Sequence, residues 1–254
     1  MKKGADMMKM MTFLRTSLLL VIAVVFCSGF ALIGKGYQVY KEAESRIGLS
    51  EKVQEIRSKD TFTSIEDLPE TYVNAVVAVE DKRFFRHPGI DFLAVGRALL
   101  HDIQAGRYVE GGSTITQQLA KNLYFSQEKQ LTRKIAEVFV ALDLERSYSK
   151  EEIFELYVNS IYFGDGYYGI GSASMGYFEL EPSKMSDYES TLLAGVPNAP
   201  SRYAPSKYLD RAEKRQLQVL RRMEACGYYS REEAETVAET AALAFALIST
   251  GGRL

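Results

Sequence analysis

The sequence predicts an all-α fold carried on one N-terminal transmembrane helix, and three observations predict it. Residues Thr16 to Gly34 form a run of nineteen without a charge. Thr114-x-x-Gln117, Ser149-x-x-Glu152, Ser186-x-x-Glu189 and Ser230-x-x-Glu233 are capping-box patterns, each opening a segment whose apolar residues recur at helical spacing. No stretch alternates apolar and polar residues as a half-buried strand would. At 254 residues the chain is long enough for one domain of about 200 residues with appendages.

The apolar run centres on Leu18-Leu19-Leu20-Val21-Ile22-Ala23-Val24-Val25-Phe26 and approaches the roughly 20 residues that span a bilayer as a helix. Lys2, Lys3, Lys9 and Arg15 precede it, opposed only by Asp6. Positive charge on that side keeps residues 1–15 in the cytoplasm and sends the remainder to the outer face. A cleaved signal peptide is the rival reading, but the run is long for one and no small-x-small cleavage site follows it. Residues 35–62 are polar and mixed in charge, and read as a stalk beneath a domain over 63–254.

Composition excludes some functions. Lys and Arg total 31 against 33 Asp and Glu, a net charge of −2, so nothing marks a nucleic-acid binder. Any anionic substrate must be met by local clusters of cations. Two cysteines, Cys27 in the span and Cys226 beside Gly227, and two histidines give no zinc-site spacing.

Within the domain, Pro69 suits the first turn of a helix ending near Asp81. Asp91 caps a helix through Leu100 that stops before Gly106. The four capping boxes supply the next starts. Gly106 to Gly112, and Phe163 to Gly169 with three glycines among aromatics, interrupt the rhythm as loops of the kind that carry function. Pro197 to Pro205 reads as an extended, rigid linker. Two amphipathic helices follow Tyr208.

Chemistry gathers at three places. Glu80 and Asp81 close the apolar helix that starts after Pro69, where the helix dipole is negative. That position raises a carboxylate's pKa and suits it to proton transfer near neutral pH. Gly111 to Asn122 opens a helix with two glycines and three hydroxyls, an arrangement that receives an anion or a sugar. Gln118, Lys121 and Asn122 follow at helical spacing. In the next helix Arg133 and Lys134 share a face with Glu137, which apolar residues otherwise surround. Two carboxylates, Glu80 and Glu137, are the apparatus of glycosidic chemistry. The added cations Lys121, Arg133 and Lys134 point beyond hydrolysis to a transfer reaction with a pyrophosphate leaving group.

Glu80-Asp-x-x-Phe-x-x-His87-x-Gly-x-Asp91, Gly112-Ser-Thr-Ile-Thr-Gln-Gln-Leu-x-Lys-Asn122 and Arg133-Lys-x-x-Glu137 resemble the ordered motifs of the peptidoglycan glycosyltransferases, family 51 of the glycosyltransferases. Lys150-x-x-Ile-x-Glu-x-Tyr157-x-Asn159 with Tyr162 to Ile170, and Leu193 to Tyr203, are similar to the fourth and fifth motifs. Ser174, Glu179, Leu180, Asn198 and Ala204 depart from the family's usual Ala, Gly, Lys, Gln and Asn.

The resemblance implies a lysozyme-like helical domain with a smaller membrane-proximal lobe. It implies polymerisation of lipid II into β-1,4-linked glycan, with undecaprenyl pyrophosphate released. Glu80 would then be the general base, and Glu137 with Arg133 and Lys134 would work at the donor pyrophosphate. Thr114, Gln118, Lys121 and Asn122 would bind donor phosphate and sugar, while Asp81, Phe84 and His87 shape the cleft around Glu80. In family members Mg or Mn can assist the pyrophosphate, although no spacing here demonstrates a metal site.

Partners on this reading are lipid II, the growing lipid-linked strand and a bacterial cytoplasmic membrane, which Phe92, Leu93, Val95, Leu99 and Leu100 could help the smaller lobe touch. Lys-Thr-Gly, a transpeptidase signature, does not occur, so cross-linking is expected to fall to separate penicillin-binding transpeptidases. The competing readings are a lysozyme-like hydrolase or lytic transglycosylase, and an inactive scaffold that binds lipid II.

Overall fold

The computed structural model describes residues 2–106, 111–125 and 130–249, with side chains over 10–106, 111–125 and 130–240. Among the described residues the architecture is entirely helical apart from a single bridge between Tyr162 and Tyr168. The order is α1 (Lys2–Arg46), α2 (Leu49–Arg57), α3 (Glu70–Glu80), α4 (Phe92–Ala105), α5 (Ile115–Tyr124) and α6 (Leu131–Ser147). It continues with α7 (Lys150–Val158), α8 (Ile170–Phe178), α9 (Asp187–Gly195), α10 (Pro200–Tyr203), α11 (Pro205–Cys226) and α12 (Arg231–Ser249).

The expected starts are present. All four capping boxes close reciprocally: Thr114, Ser149 and Ser186 at α5, α7 and α9, and Ser230 with Glu233 at α12. Asp91 accepts from Ala94 N–H at 2.8 Å and caps α4, which ends at Gly106 with φ +62°. Each such cap satisfies backbone donors that the helix itself leaves unpaired.

α7 is the centre of the core. Ile153, Phe154, Leu156, Tyr157 and Val158 are all buried, while Lys150, Glu151, Glu152 and Glu155 keep part of the helix at the surface. α3 contributes Tyr72, Ala75, Val76 and Val77, packed against α9 and α11, while α5 lies against α6 and α7. Burying side chains of this size contributes about 1.5–3 kcal/mol each. The core thereby fixes the C-terminal end of α3, where Glu80 sits, against the start of α5.

α1 contains the expected apolar span, but the residues after it pack on the domain rather than forming a separate stalk. It is one continuous helix, apolar and long enough over Met10–Arg46 to cross a membrane, and its last turns dock on α6. At Gly36 the approach is so close that a Cβ would lie 2.4 Å from Ile135 Cγ2. Tyr37 and Tyr40 then pack on Phe139 with ring centres 5.2 and 5.7 Å away, and Tyr40 Oη donates to Asp143. α2 buries Val53 and Ile56 in the same core. The charges of 35–62 lie on the outer faces of helices whose inner faces are aromatic and aliphatic, which conceals the packing from a reading by composition.

The segment over Pro197 to Pro205 also differs from expectation. Pro200 and Pro205 each occupy the first turn of a helix, α10 and α11, where a missing N–H is harmless. Three of the departures from the family pattern meet at the end of α8. Ser174 Oγ donates to Leu180 O at 2.7 Å, and Glu179 terminates the helix in the left-handed region at φ +57°. A side chain there is disfavoured by about 1–2 kcal/mol. Glu179→Gly is therefore expected to raise the thermal midpoint by about 2–4 °C per kcal/mol recovered, as read by circular dichroism; a lowered midpoint would mean that the Glu179 side chain contributes more than its backbone costs.

Candidate functional site

Glu80 lies half-buried on the wall of a cleft of about 650 Å3, formed where α3 ends, α5 begins, and α4 and α11 face one another. Asp81, Asp91, Ser113 and Thr114 line the α3–α5 side; Ala94, Arg97 and His101 come from α4. Arg215, Gln218, Arg221 and Arg222 come from α11. Gly111 and Gly112 line the approach to α5, and a Cβ on Gly112 would stand 3.2 Å from Val95 Cα. The expected functional loop of residues 106–112 is seen only at its ends, since 107–110 lie outside the described residues.

Glu80 is held from below. Gln118 Nε2 donates to its carboxylate at 2.8 Å, and the buried Tyr157 hydroxyl donates to Gln118 Oε1 at 3.3 Å, fixing which way the amide points. Burial pushes the Glu80 pKa up, and the neighbouring Asp81 adds to the rise; the Gln118 hydrogen bond, Arg215 and Lys121 oppose it. Desolvation prevails because apolar protein surrounds the end of α3. A carboxylate whose pKa is raised in this way is a stronger proton acceptor when it is ionised.

The pH consequence follows from the sign of that shift. Glu80 must be ionised to accept a proton, so kcat/KM should rise with pH through an inflection above the ordinary glutamate range. A profile already flat from the ordinary range upward would exclude Glu80 as the base. Stability runs the other way: a folded carboxyl that holds its proton more tightly stabilises at low pH, and that contribution is lost as pH rises through the folded pKa.

Asp81 and His87 act as supports. Asp81 Oδ2 lies 2.8 Å from His87 Nε2 and accepts the Ile115 N–H at 3.2 Å, so it ties α3 to the first turn of α5. Arg83 clamps Asp91, whose pKa is lowered to about 2 chiefly by that partner. Phe84 is wholly buried against Phe154 and belongs to the core. Thr114 is committed to structure, since its hydroxyl accepts from Gln117 N–H and donates to Gly89 O. Asn122 is exposed on α5.

The second carboxylate is arranged differently. Glu137 is 1% exposed and does not line the cleft. Its oxygens pair with Arg133 Nη1 at 2.9 Å and Lys134 Nζ at 3.0 Å. Lys134 also donates to Ser113 Oγ at 2.7 Å, and Ser113 does line the cleft. Lys121 stands in the field of Glu137, Arg133, Lys134 and Glu80, its pKa lowered chiefly by burial. Glu80, Gln118, Lys121, Lys134 and Ser113 thus form one connected polar seam, with Glu137 as the buried counter-charge behind it.

α11 supplies what the sequence did not reveal. Arg215, Arg221 and Arg222 line the cleft, and the Arg215 charge acts on Glu80. Arginines at helical spacing read as an ordinary solvated face, and 215 is too far along the chain for any local pattern to pair it with 80. Among the described residues no group of three or more His, Cys, Asp or Glu side chains converges as a metal cage.

Comparison with known proteins agrees with the motifs that meet here. A region 42% identical over 231 residues in penicillin-binding protein 1F of Bacillus subtilis covers 85% of this chain and 32% of that protein. Penicillin-binding protein 1A of Aquifex aeolicus is 46% identical over 177 residues, covering 70% of this chain and 24% of the relative. The chain therefore spans about a third or less of the length of these relatives. A crystal structure of penicillin-binding protein 1A from Haemophilus influenzae aligns over 70% of this chain and 17% of its own, at 23% identity and a TM-score of 0.42. The model of the transglycosylase family matches residues 49–224, which take in α2, the whole cleft and most of α11, and the chain belongs to that family.

Proposed function

We propose that this protein is a peptidoglycan glycosyltransferase that polymerises lipid II by inverting transfer, with undecaprenyl pyrophosphate as the leaving group. The observation that carries the reading is a desolvated carboxylate that feels Lys121 of α5 and Arg215 of α11, with Arg133 and Lys134 paired to Glu137 in the field of Lys121, and Arg221 and Arg222 on the cleft wall. Glu80 takes the proton of the acceptor sugar's 4-hydroxyl as that oxygen bonds to the donor's C1. The bond from C1 to the phosphate oxygen breaks, and its electron pair leaves with the pyrophosphate. Lys121, Arg133 and Lys134 neutralise that charge as it develops. Arg215, Arg221 and Arg222 hold the second pyrophosphate, which stays on the acceptor.

Lipid-linked substrates require the cleft to lie near a bilayer. α1 provides the anchor, with its N-terminus in the cytoplasm and the domain outside. On α4, Phe92, Leu93, Leu99, Leu100 and Ile103 are exposed and can meet the acyl boundary as the smaller lobe. A soluble hydrolase of neutral glycan needs neither feature. The deciding experiment measures undecaprenyl pyrophosphate released from lipid II and shortening of preformed glycan, using detergent-purified protein. One pyrophosphate per disaccharide joined is expected; glycan shortening without pyrophosphate release would establish a hydrolase instead.

A further inference from the structure

A second cavity, of about 530 Å3, is not used by the reaction described above. Asn198 lines the cleft, whereas Pro200 and Ser201, immediately along the chain, line the cavity. α11 joins the same two places. Arg211, Arg215, Gln218 and Arg222 recur along it at intervals of three and four residues and make one stripe of side chains, and Tyr208 stands at a kink where that stripe begins, with φ −138° and ψ 50°. Tyr208 is at the cavity end; Arg215, Gln218 and Arg222 are at the cleft end. The Arg211 guanidinium lies 4.6 Å from the centre of the Tyr208 ring, and Arg215 Nη1 donates to Gln218 Oε1 at 2.8 Å.

The lining of the cavity combines aromatic rings with polar groups. Tyr162 and Tyr208 line it, and Tyr168, 56% exposed, extends the aromatic face with its ring centre 4.7 Å from that of Tyr162. Aromatic rings held partly in water suit the apolar faces of pyranose rings, while Asp165 and Lys207, paired with each other, give the cavity a polar edge beside them. The loop that presents Tyr162 and Asp165 is built at a conformational cost. Asp165 holds φ +51° between two glycines that are also in positive φ, and its carboxylate is bound by Ser206 and Lys207 at the start of α11.

From the docked end of α1 the chain runs through α2 to Thr61 and Thr63, which meet Ser172 and Asn159 beside this loop.

We propose that this cavity is a saccharide subsite that holds the leaving glycan strand, a polymer of N-acetylated amino sugars, as it passes along α11 from the cleft. The identity of the strand rests on the polymerase reading, and the test separates the two. Full-length parent, Tyr162→Ala, Tyr168→Ala and Tyr162→Phe proteins are titrated with a tetramer of β-1,4-linked N-acetylglucosamine by ligand-observed NMR. The same proteins are given lipid II, and products are sized at matched conversion.

The parent should bind the tetramer saturably. Both alanine variants should bind about fivefold more weakly, the loss expected for one aromatic contact, and should make shorter strands. Tyr162→Phe keeps the ring but loses the hydroxyl that accepts from Gly166 N–H at 3.3 Å, and should behave as the parent. Parental binding and strand length in the alanine variants would overturn the subsite, as would a phenylalanine variant as impaired as Tyr162→Ala. A parent that leaves lipid II untouched overturns the polymerase reading, and the tetramer titration then decides the cavity alone.

Discussion

Glu80→Gln is expected to lower polymerisation by roughly 10²–10⁴-fold, the range for removing a general base, while raising the thermal midpoint at neutral pH. The two effects have one cause. The Glu80 carboxyl is desolvated at the end of α3, and burial opposes its charge more than Gln118, Arg215 and Lys121 favour it. An amide of the same shape removes that electrostatic cost and still accepts from Gln118 Nε2, so the fold gains. It cannot accept a proton from the acceptor hydroxyl, so the reaction fails. Activity lost together with stability would instead mark Glu80 as a structural carboxylate. Activity assays on lipid II beside thermal melts of the same preparations separate the outcomes.

Glu137→Gln is expected to lose both stability and rate. Its carboxylate is 2% exposed between Arg133 and Lys134, whose side chains are 17% and 41% exposed. Breaking a wholly buried pair costs about 3–5 kcal/mol; because Lys134 reaches solvent, the cost here should fall at or below the lower end. Glu137 acts through the cations it holds, since it does not itself line the cleft. Without it, Lys134 loses the partner that aims it at Ser113, and kcat should fall about 10²-fold, the loss seen when one preorganised charge stabiliser is removed. KM should change less. A variant with a lowered melting midpoint but parental kcat, assayed well below that midpoint, would make Glu137 a packing residue only.

Much of this was legible in the sequence because the physics was local. Capping boxes announced α5, α7, α9 and α12 since each cap is settled within four residues. Glu80, Gln118, Lys121, Arg133 and Lys134 stood out because charges and amides interrupt apolar helices at fixed spacing. The illegible part was tertiary. Tyr37, Tyr40, Val53 and Ile56 looked like members of a polar stalk until α6 and α7 gave them something to pack against. Arg215, Arg221 and Arg222 lie far along the chain from Glu80, and only the fold brings them to the same cleft. Phe84, expected to shape the cleft, is packed in the core, and Thr114 lines the cleft while its hydroxyl serves the α5 cap. Gly106 to Gly112 was singled out as a functional loop, and the described residues at its end, Gly111 and Gly112, do line the cleft.

The account turns on the cleft joining sugars rather than cutting them. Detergent-purified full-length protein given lipid II, with products resolved by size and then digested with a muramidase, tests it most directly. A ladder of glycan strands that the muramidase collapses is the expected result. Lipid II left unchanged while preformed glycan is shortened would contradict it.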